Sequence, residues 1–138
     1  MGKTVEKVII QNYGDIYIES KGLISPSEIR TVEVDALVDT GATYLCLPPE
    51  VIKKLGLLFS YSNKVKTANG VVERHIYEGA RITILERSVQ MQVMESDENT
   101  PPLIGYLVLE ALDFVVNPKT QKLGGNPEHD GKWMVDLY

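Results

Sequence analysis

The feature that most constrains this chain is an alternating apolar segment that ends in an acid. Apolar residues occupy every second position from 32 to 38, the pattern of a strand with one face in a core. Asp39 follows at once, and Thr40 and Gly41 come after it. Burying a carboxylate is costly unless it is paired or hydrogen-bonded. The sequence therefore predicts a strand that delivers a buried carboxylate, and a function for that carboxylate.

A simple turn is the alternative reading of Asp39-Thr40-Gly41. Asp and Thr beside Gly bond backbone groups in many loops, so three residues alone indicate little. The wider context adds to them, since Leu45 and Leu47 continue the apolar alternation beyond the tripeptide. The acid is therefore predicted to lie in a loop between two strands.

In this context, residues 36–43, which read ALVDTGAT, resemble the active-site motif of the retropepsin-like aspartic proteases. The resemblance implies that Asp39 is the catalytic acid and that its loop is supported by Thr40, Gly41, Ala42 and Thr43. Thr40 would brace the loop of a second subunit. Gly41 would let backbone approach the carboxylates without a Cβ clash.

A second landmark lies about thirty residues later, at Ala68, Asn69 and Gly70. Asn-Gly accepts the positive φ angles of a tight turn, so the segment around it is predicted to form a β-hairpin. The family places a flap over its substrate at this point. The resemblance therefore implies that these three residues contact substrate, although Asn-Gly also joins hairpins in many other β proteins.

The third landmark is Leu103, Ile104 and Gly105, which precede a predicted short helix. In the family, two apolar residues and a glycine pack behind the catalytic loop. The same packing is implied here, and Gly105 is expected to act through close packing and not through chemistry.

The remaining pattern is rich in strands. It predicts an N-terminal hairpin, in which the runs 8–10 and 16–18 flank a turn, and a last strand over 133–137. Helices are predicted over 49–55, where Pro opens the segment and Gly56 closes it, and over 106–112. The fold class implied by the resemblance is mostly β, a retropepsin-like closed β-barrel with one or two short helices, the acid-protease fold.

A chain of 138 residues suits one domain, so residues 1–138 are predicted to form a single retropepsin-like domain. The family-like core covers about 31–125, with an extension at each end. Either extension could build a subunit interface, because unpaired edge strands can pair with a partner copy.

Composition and charge limit the classes of partner that are expected. The net charge of −5 opposes a phosphate-binding surface, so nucleic acid is not expected as a partner. No apolar stretch approaches the roughly 20 residues of a membrane span, so no membrane partner is expected. Cys46 is the only cysteine, which fits a reducing compartment, and the expected location is the cytoplasm.

The chemistry implied by the resemblance needs two carboxyl groups, one to take a proton from water and one to give a proton to the substrate. Asp39 is the only Asp that is followed by Thr or Ser and then Gly, since Asp130 is followed directly by Gly131. One chain thus holds half a site. The expected protein is a homodimer that joins two Asp39 side chains and cleaves peptide or protein substrates with no cofactor and no metal.

Other chemistry finds weaker support. Neither His75 nor His129 has ligands in a zinc spacing, and both are expected to be surface residues. Cys46 lies between two leucines, which favours a core thiol over a nucleophile. The alternative function is a non-catalytic module of the same fold that binds peptides or partner proteins.

Overall fold

The computed structural model describes residues 3–137, so residues 1, 2 and 138 of the predicted domain lie outside the described part. Strands dominate it. The strands are β1 Val5–Asn12, β2 Thr31–Val38, β3 Leu45–Leu47, β4 Leu58–Thr67, β5 Gly70–Ile84, β6 Arg87–Glu95, β7 Leu103–Ile104, β8 Phe114–Asn117 and β9 Lys122–Gly125. The helices are α1 Tyr13–Ser20, α2 Pro49–Leu55 and α3 Tyr106–Leu112, with 3₁₀ turns at Pro26–Glu28 and Pro127–His129.

Six of the strands close into a ring. Their order is β1-β2-β7-β3-β6-β5, and β1 also pairs with β5, so Ile10 lies opposite both Val32 and Ile82. The pairs β2–β7 and β3–β6 are parallel, and the other pairs are antiparallel. β4 lies outside the ring and pairs with β5 alone. The predicted mostly-β fold is confirmed.

The core fills the inside of this ring. Side chains that alternate along the strands are fully buried, because successive residues of a strand point to opposite faces. The largest of them are Ile10, Leu45, Leu47, Ile76, Ile82, Ile84 and Ile104, joined by Leu55 of α2 and Leu112 of α3. The alternation that the sequence shows from position 32 is thus the pattern of a ring filled on one face.

The predicted N-terminal hairpin is wrong, because residues 13–20 form helix α1. Asn12 caps this helix by accepting a hydrogen bond from the backbone N–H of Asp15 (2.9 Å). The carboxylate of Asp15 in turn accepts from the backbone and the guanidinium of Arg30, at 2.8–2.9 Å. A cap and a partly buried ion pair therefore outweigh the strand propensity of the isoleucines and tyrosine. With α1 the described part of the structure has three short helices, whereas one or two were predicted.

Other elements match their predictions. α2 and α3 have the predicted bounds, and Gly56 ends α2 in a left-handed conformation (φ 62°). The hairpin β4–β5 also forms, but its two loop residues are Ala68 and Asn69, and only Gly70 has a positive φ, of 114°. The turn is therefore shifted by one residue from the predicted Asn-Gly.

The predicted last strand over 133–137 is absent from the described residues, and that segment is irregular. Its polar groups bind the end of α3 instead, where Trp133 Nε1 donates to the carbonyl of Ala111 (3.0 Å). β9, which sequence reasoning missed, is the strand that pairs with β8. Within residues 3–137 the longest helix has eight residues, and no helix could cross a membrane.

Candidate active site

Asp39 begins the loop that joins β2 to β3, at the rim of the ring. Its backbone N–H donates to the carbonyl of Ile104 (2.9 Å), and its own carbonyl accepts from Ala42 (3.1 Å). One oxygen of its carboxylate, Oδ1, accepts from the backbone N–H of Gly41 (2.9 Å). The loop therefore fixes both the main chain and the orientation of the acid.

The expectation of a buried acid is wrong for the single chain. Asp39, Thr40 and Gly41 are all exposed, although Ala36, three positions earlier, is fully buried. The reason is that β2 reaches the rim of the ring with Val38, so its continuation leaves the core. The chain itself thus imposes no burial on the carboxylate of Asp39.

The loop is held from behind by the segment 103–107. Leu103 and Ile104 form β7, which pairs in parallel with the last two residues of β2. The backbone N–H groups of Tyr106 and Leu107, in the first turn of α3, then donate to the carbonyls of Ala42 (2.9 Å) and Thr43 (3.1 Å). The loop thus satisfies amides that have no partner within the helix.

Gly105 lies where this support touches the loop. A Cβ atom at this position would stand 2.4 Å from the carbonyl oxygen of Tyr44 and 2.5 Å from the carbonyl carbon of Thr43. Both contacts are with backbone, which cannot turn away as a side chain can. Only glycine fits here without moving the loop.

Two clefts meet at Asp39. The larger, of about 730 Å³, lies between the loop and strand β4 and is lined by Gly41, Ala42, Thr43, Tyr44, Cys46, residues 63–67, Met94 and Leu103 as well as Asp39. The smaller, of about 430 Å³, lies on the other side of the acid, between the loop and the β8–β9 hairpin, and includes Thr40, Val116 and Gln121. Asp39 faces both.

The wall of the larger cleft comes from the body of β4 and not from the tip of the hairpin. Residues 63–67 line it, whereas Ala68, Asn69 and Gly70 lie beyond that stretch. The predicted substrate contact at the tip stays a prediction, and sequence reasoning did not name Asn63, Val65 and Tyr44, which line the cleft. No local pattern selected them, because all five consecutive residues from 63 to 67 line the cleft and do not follow the two-residue period of a strand.

Two groups in the larger cleft have altered acidity. Hydrogen bonding to the hydroxyl of Tyr61, on β4, together with burial raises the pKa of Tyr44. Burial, with a smaller effect of the Asp39 charge, raises the pKa of Cys46 to about 11. The Cys46 side chain is almost fully buried, and its Sγ faces the carbonyl of Tyr44 (3.6 Å). The core thiol that the sequence predicted is confirmed.

The high pKa predicts that Cys46 alkylates slowly. At pH 8 its thiolate fraction is about a hundredfold below that of a thiol with an ordinary pKa near 9, and burial slows the reagent further. Mass spectrometry of the folded chain with iodoacetamide should therefore show modification at least about 100-fold slower than in urea. Since the chain has a single cysteine, its mass reports this site alone. Equal rates in both states would contradict the buried placement.

The two histidines lie away from Asp39's loop. His75 Nδ1 faces Glu95 at 3.7 Å and is half exposed, as expected. The side chain of His129 is only 12% exposed and lies between two carboxylates, so the surface placement predicted for it is wrong. Among the described residues, no group of three or more His, Cys, Asp or Glu side chains is placed to hold a metal ion.

Comparisons with known proteins show the family and the fold of this chain. Residues 26–111 match the model of a family described as "gag-polyprotein putative aspartyl protease". A search of curated proteins found no match. Among solved structures, the chain resembles the EIAV protease, solved in complex with the inhibitor HBY-793. That match has a TM-score of 0.54 at 14% identity, over 79% of this chain and 86% of the other, and it shows a shared fold.

Proposed function

This chain belongs to the gag-type, retropepsin-like aspartyl protease family, and from that premise we propose that it is an aspartic endopeptidase whose active site joins Asp39 from two copies. The observation that carries the proposal is the placement of Asp39. It is the exposed acid at the rim of the ring, where two clefts meet and where hydrogen bonds with residues 104–107 fix its loop.

The proposed chemistry follows from two carboxyl groups close together. Like charges at short distance cannot both ionise readily, so the pair retains one proton. The ionised carboxyl takes a proton from water as the water attacks the peptide carbonyl carbon. The protonated carboxyl donates its proton to the carbonyl oxygen. The carboxyl that took the proton from water then gives it to the departing amine nitrogen as the C–N bond breaks, while the other carboxylate takes a proton from a hydroxyl of the tetrahedral intermediate, so the pair again holds one proton.

A homodimer is part of the proposal, because the described residues supply Asp39 as the one acid of this loop. The smaller cleft supports it, since the carboxylate is exposed on that side and the cleft is open to a second copy. In this arrangement Thr40 reaches the partner's loop, and Gly41 lets the two loops approach without Cβ atoms between them. A two-fold axis beside Asp39 makes both contacts reciprocal.

The larger cleft is the proposed substrate site. Its wall is an outer strand, β4, and an extended peptide laid along it would present alternate side chains to the cleft. Ala42 and Thr43 would line one end, and the hairpin tip around Asn69 would close over the peptide as a flap. Peptide or protein substrates are therefore proposed, and the cytoplasm remains the proposed location because the sequence has a single cysteine.

The test measures both peptide cleavage and the mass of the assembly in solution. A diverse peptide mixture is incubated from acidic to neutral pH and read by mass spectrometry at several protein concentrations. Cleavage is expected to rise faster than linearly with protein at low concentration, and sedimentation should show the dimer over the same range. Linear rates from a monomer would overturn the shared site. A dimer that binds peptides without cutting them would favour the alternative, a non-catalytic binding module.

A further inference from the structure

The segment 126–137, here called the C-terminal strap, crosses the end of α3. It is anchored on Asp113, the residue that ends the helix. Asn126 donates from its backbone to the carbonyl of Asp113 (3.2 Å) and from its side chain to Oδ1 of the same residue (3.2 Å). The backbone N–H of Met134 donates to Oδ2 (3.2 Å). Two residues of the strap, Asn126 and Met134, therefore bind the buried carboxylate of Asp113.

Arg87, the first residue of β6, ties the strap to the last carbonyls of α3. Its Nη1 donates to the carbonyls of Leu112 (2.8 Å) and Asp113 (3.0 Å), and its Nη2 donates to Gly131 of the strap (2.8 Å). Its guanidinium also lies over the ring of Trp133, 6.0 Å from the ring centroid. The carbonyls at the end of a helix have no partners within it, so these bonds fasten strap and helix together.

His129 closes the strap between two carboxylates. Its Nδ1 lies 2.6 Å from Oδ2 of Asp113, and its Nε2 lies 3.1 Å from Oδ1 of Asp136. A neutral imidazole carries one N–H and one lone pair, so it would turn a lone pair towards one of the carboxylates. Only the imidazolium cation donates to both. The side chain is 12% exposed, so water replaces these partners poorly.

We propose that His129 is a proton-controlled clasp, which tightens the hold of the C-terminal strap on α3 when it is protonated and loosens that hold when it loses its proton. The clasp acts on the loop of Asp39 through the helix. α3 is a short helix of seven residues. The strap binds its C-terminal end, and its first turn, at Tyr106 and Leu107, hydrogen-bonds the loop. His129 is thus a positioning residue, and its effect on cleavage rests on the proposed function.

The direction of the pH dependence follows from the two partners. Hydrogen bonding to Asp113, helped by Asp136, raises the pKa of His129 above its usual range near 6.5. The clasp is therefore fully closed below about pH 6.5 and opens as pH rises through the raised pKa. Hydrogen bonding to His129 lowers the pKa of Asp113, so at the acid end the clasp is lost only as pH falls through that lowered value.

Other charged groups lie around the clasp. They come from the end of α3, the 3₁₀ turn, the strap and the start of β6, and they are Glu110, Glu128, Asp130, Lys132 and Arg87. The assignment of a transition in this region to His129 therefore rests on the replacement of that residue.

Trp133 makes the test direct, since it is the only tryptophan of the chain and lies in the strap. Its fluorescence is recorded from pH 5.5 to 9 in the full chain, together with amide exchange of residues 126–137. The expected result is an emission shift to longer wavelength, with a midpoint above 6.5, and faster exchange of the strap at high pH after correction for the intrinsic rate. His129→Gln should remove the transition and resemble the high-pH state throughout.

Two further variants keep the result interpretable. His75→Gln changes the other histidine, which faces Glu95 at the opposite end of β6 from Arg87, and should leave the transition as it is. Asp136→Asn alters an exposed carboxylate and should keep the fold while it moves the midpoint to lower pH. A transition that persists in His129→Gln, or a wild-type signal that is flat over this range, overturns the clasp. Failure to cleave peptides beside a normal transition would overturn the proposed function alone.

Discussion

Asp39→Asn is expected to lower peptide cleavage by about 10³-fold or more while the fold and the dimer remain. The amide is nearly isosteric with the carboxylate, and its oxygen can still accept the hydrogen bond from Gly41 that orients the side chain. What it cannot do is exchange a proton with water and substrate. The measurement is the initial rate on a cleaved peptide at matched dimer concentration, with circular dichroism and sedimentation as checks of structure.

Asp35→Asn is the matched control for this substitution. Asp35 lies on β2, four residues before Asp39, and is exposed opposite Lys7 of β1. Removing its charge changes the net charge by the same amount and should leave cleavage within about twofold, as for most surface substitutions. Equal activity of the Asp39→Asn chain and the wild type would rule out the proposed role of Asp39.

Gly105→Ala is expected to destabilise the protein by about 3 kcal/mol or more, which is the upper range for overpacking in a rigid site. The added methyl would stand 2.4 to 2.6 Å from backbone atoms of Thr43 and Tyr44. Relief requires α3 to move away from the loop, which would break the bonds from Tyr106 and Leu107 to that loop. Urea unfolding measures the stability, and cleavage under conditions where the variant is folded should fall as well.

Gly124→Ala provides the comparison for the glycine. Gly124 lies in β9, its φ is not left-handed, and a Cβ there would have no heavy atom within 4 Å. Its stability should therefore stay within about 1 kcal/mol of the wild type, since alanine also narrows the unfolded ensemble. If Gly105→Ala and Gly124→Ala lowered the stability by the same small amount, the loop would not be packed against α3 in the way described.

Local sequence signals predicted those elements that depend on local chemistry. α2 follows from the proline that opens it and the glycine that closes it, and α3 from a run of helix formers. α1 could not be predicted in this way, because its acid meets Arg30, fifteen residues away. The predicted strand over 133–137 failed for a related reason. Its Trp133 binds α3 and lies beneath the guanidinium of Arg87 instead of pairing with a neighbouring strand, and no local pattern carries that information.

Some features of the candidate site could also be predicted from the sequence, and others could not. Asp39 was predicted from a motif, and the motif also indicated that the loop needs support from a later glycine. The exposure of the acid was not predictable from residues 32–39, because it depends on where the rim of the ring falls. The cleft wall formed by β4 was not predicted, because it depends on how close that strand lies to the loop in the folded chain. His129 was misplaced on the surface, since its two partners are 16 residues before it and seven after it.

The dependence of the loop on residues 102–107 also dictates when a newly made chain can acquire the site. Leu37 bonds the carbonyl of Pro102, and the loop that follows waits for Ile104 and the first turn of α3. The ribosome must therefore have made Leu107 before the loop of Asp39 has these supports. Domains fold during synthesis as their contacts become available. The loop of Asp39 accordingly orders only after synthesis has passed the first turn of α3.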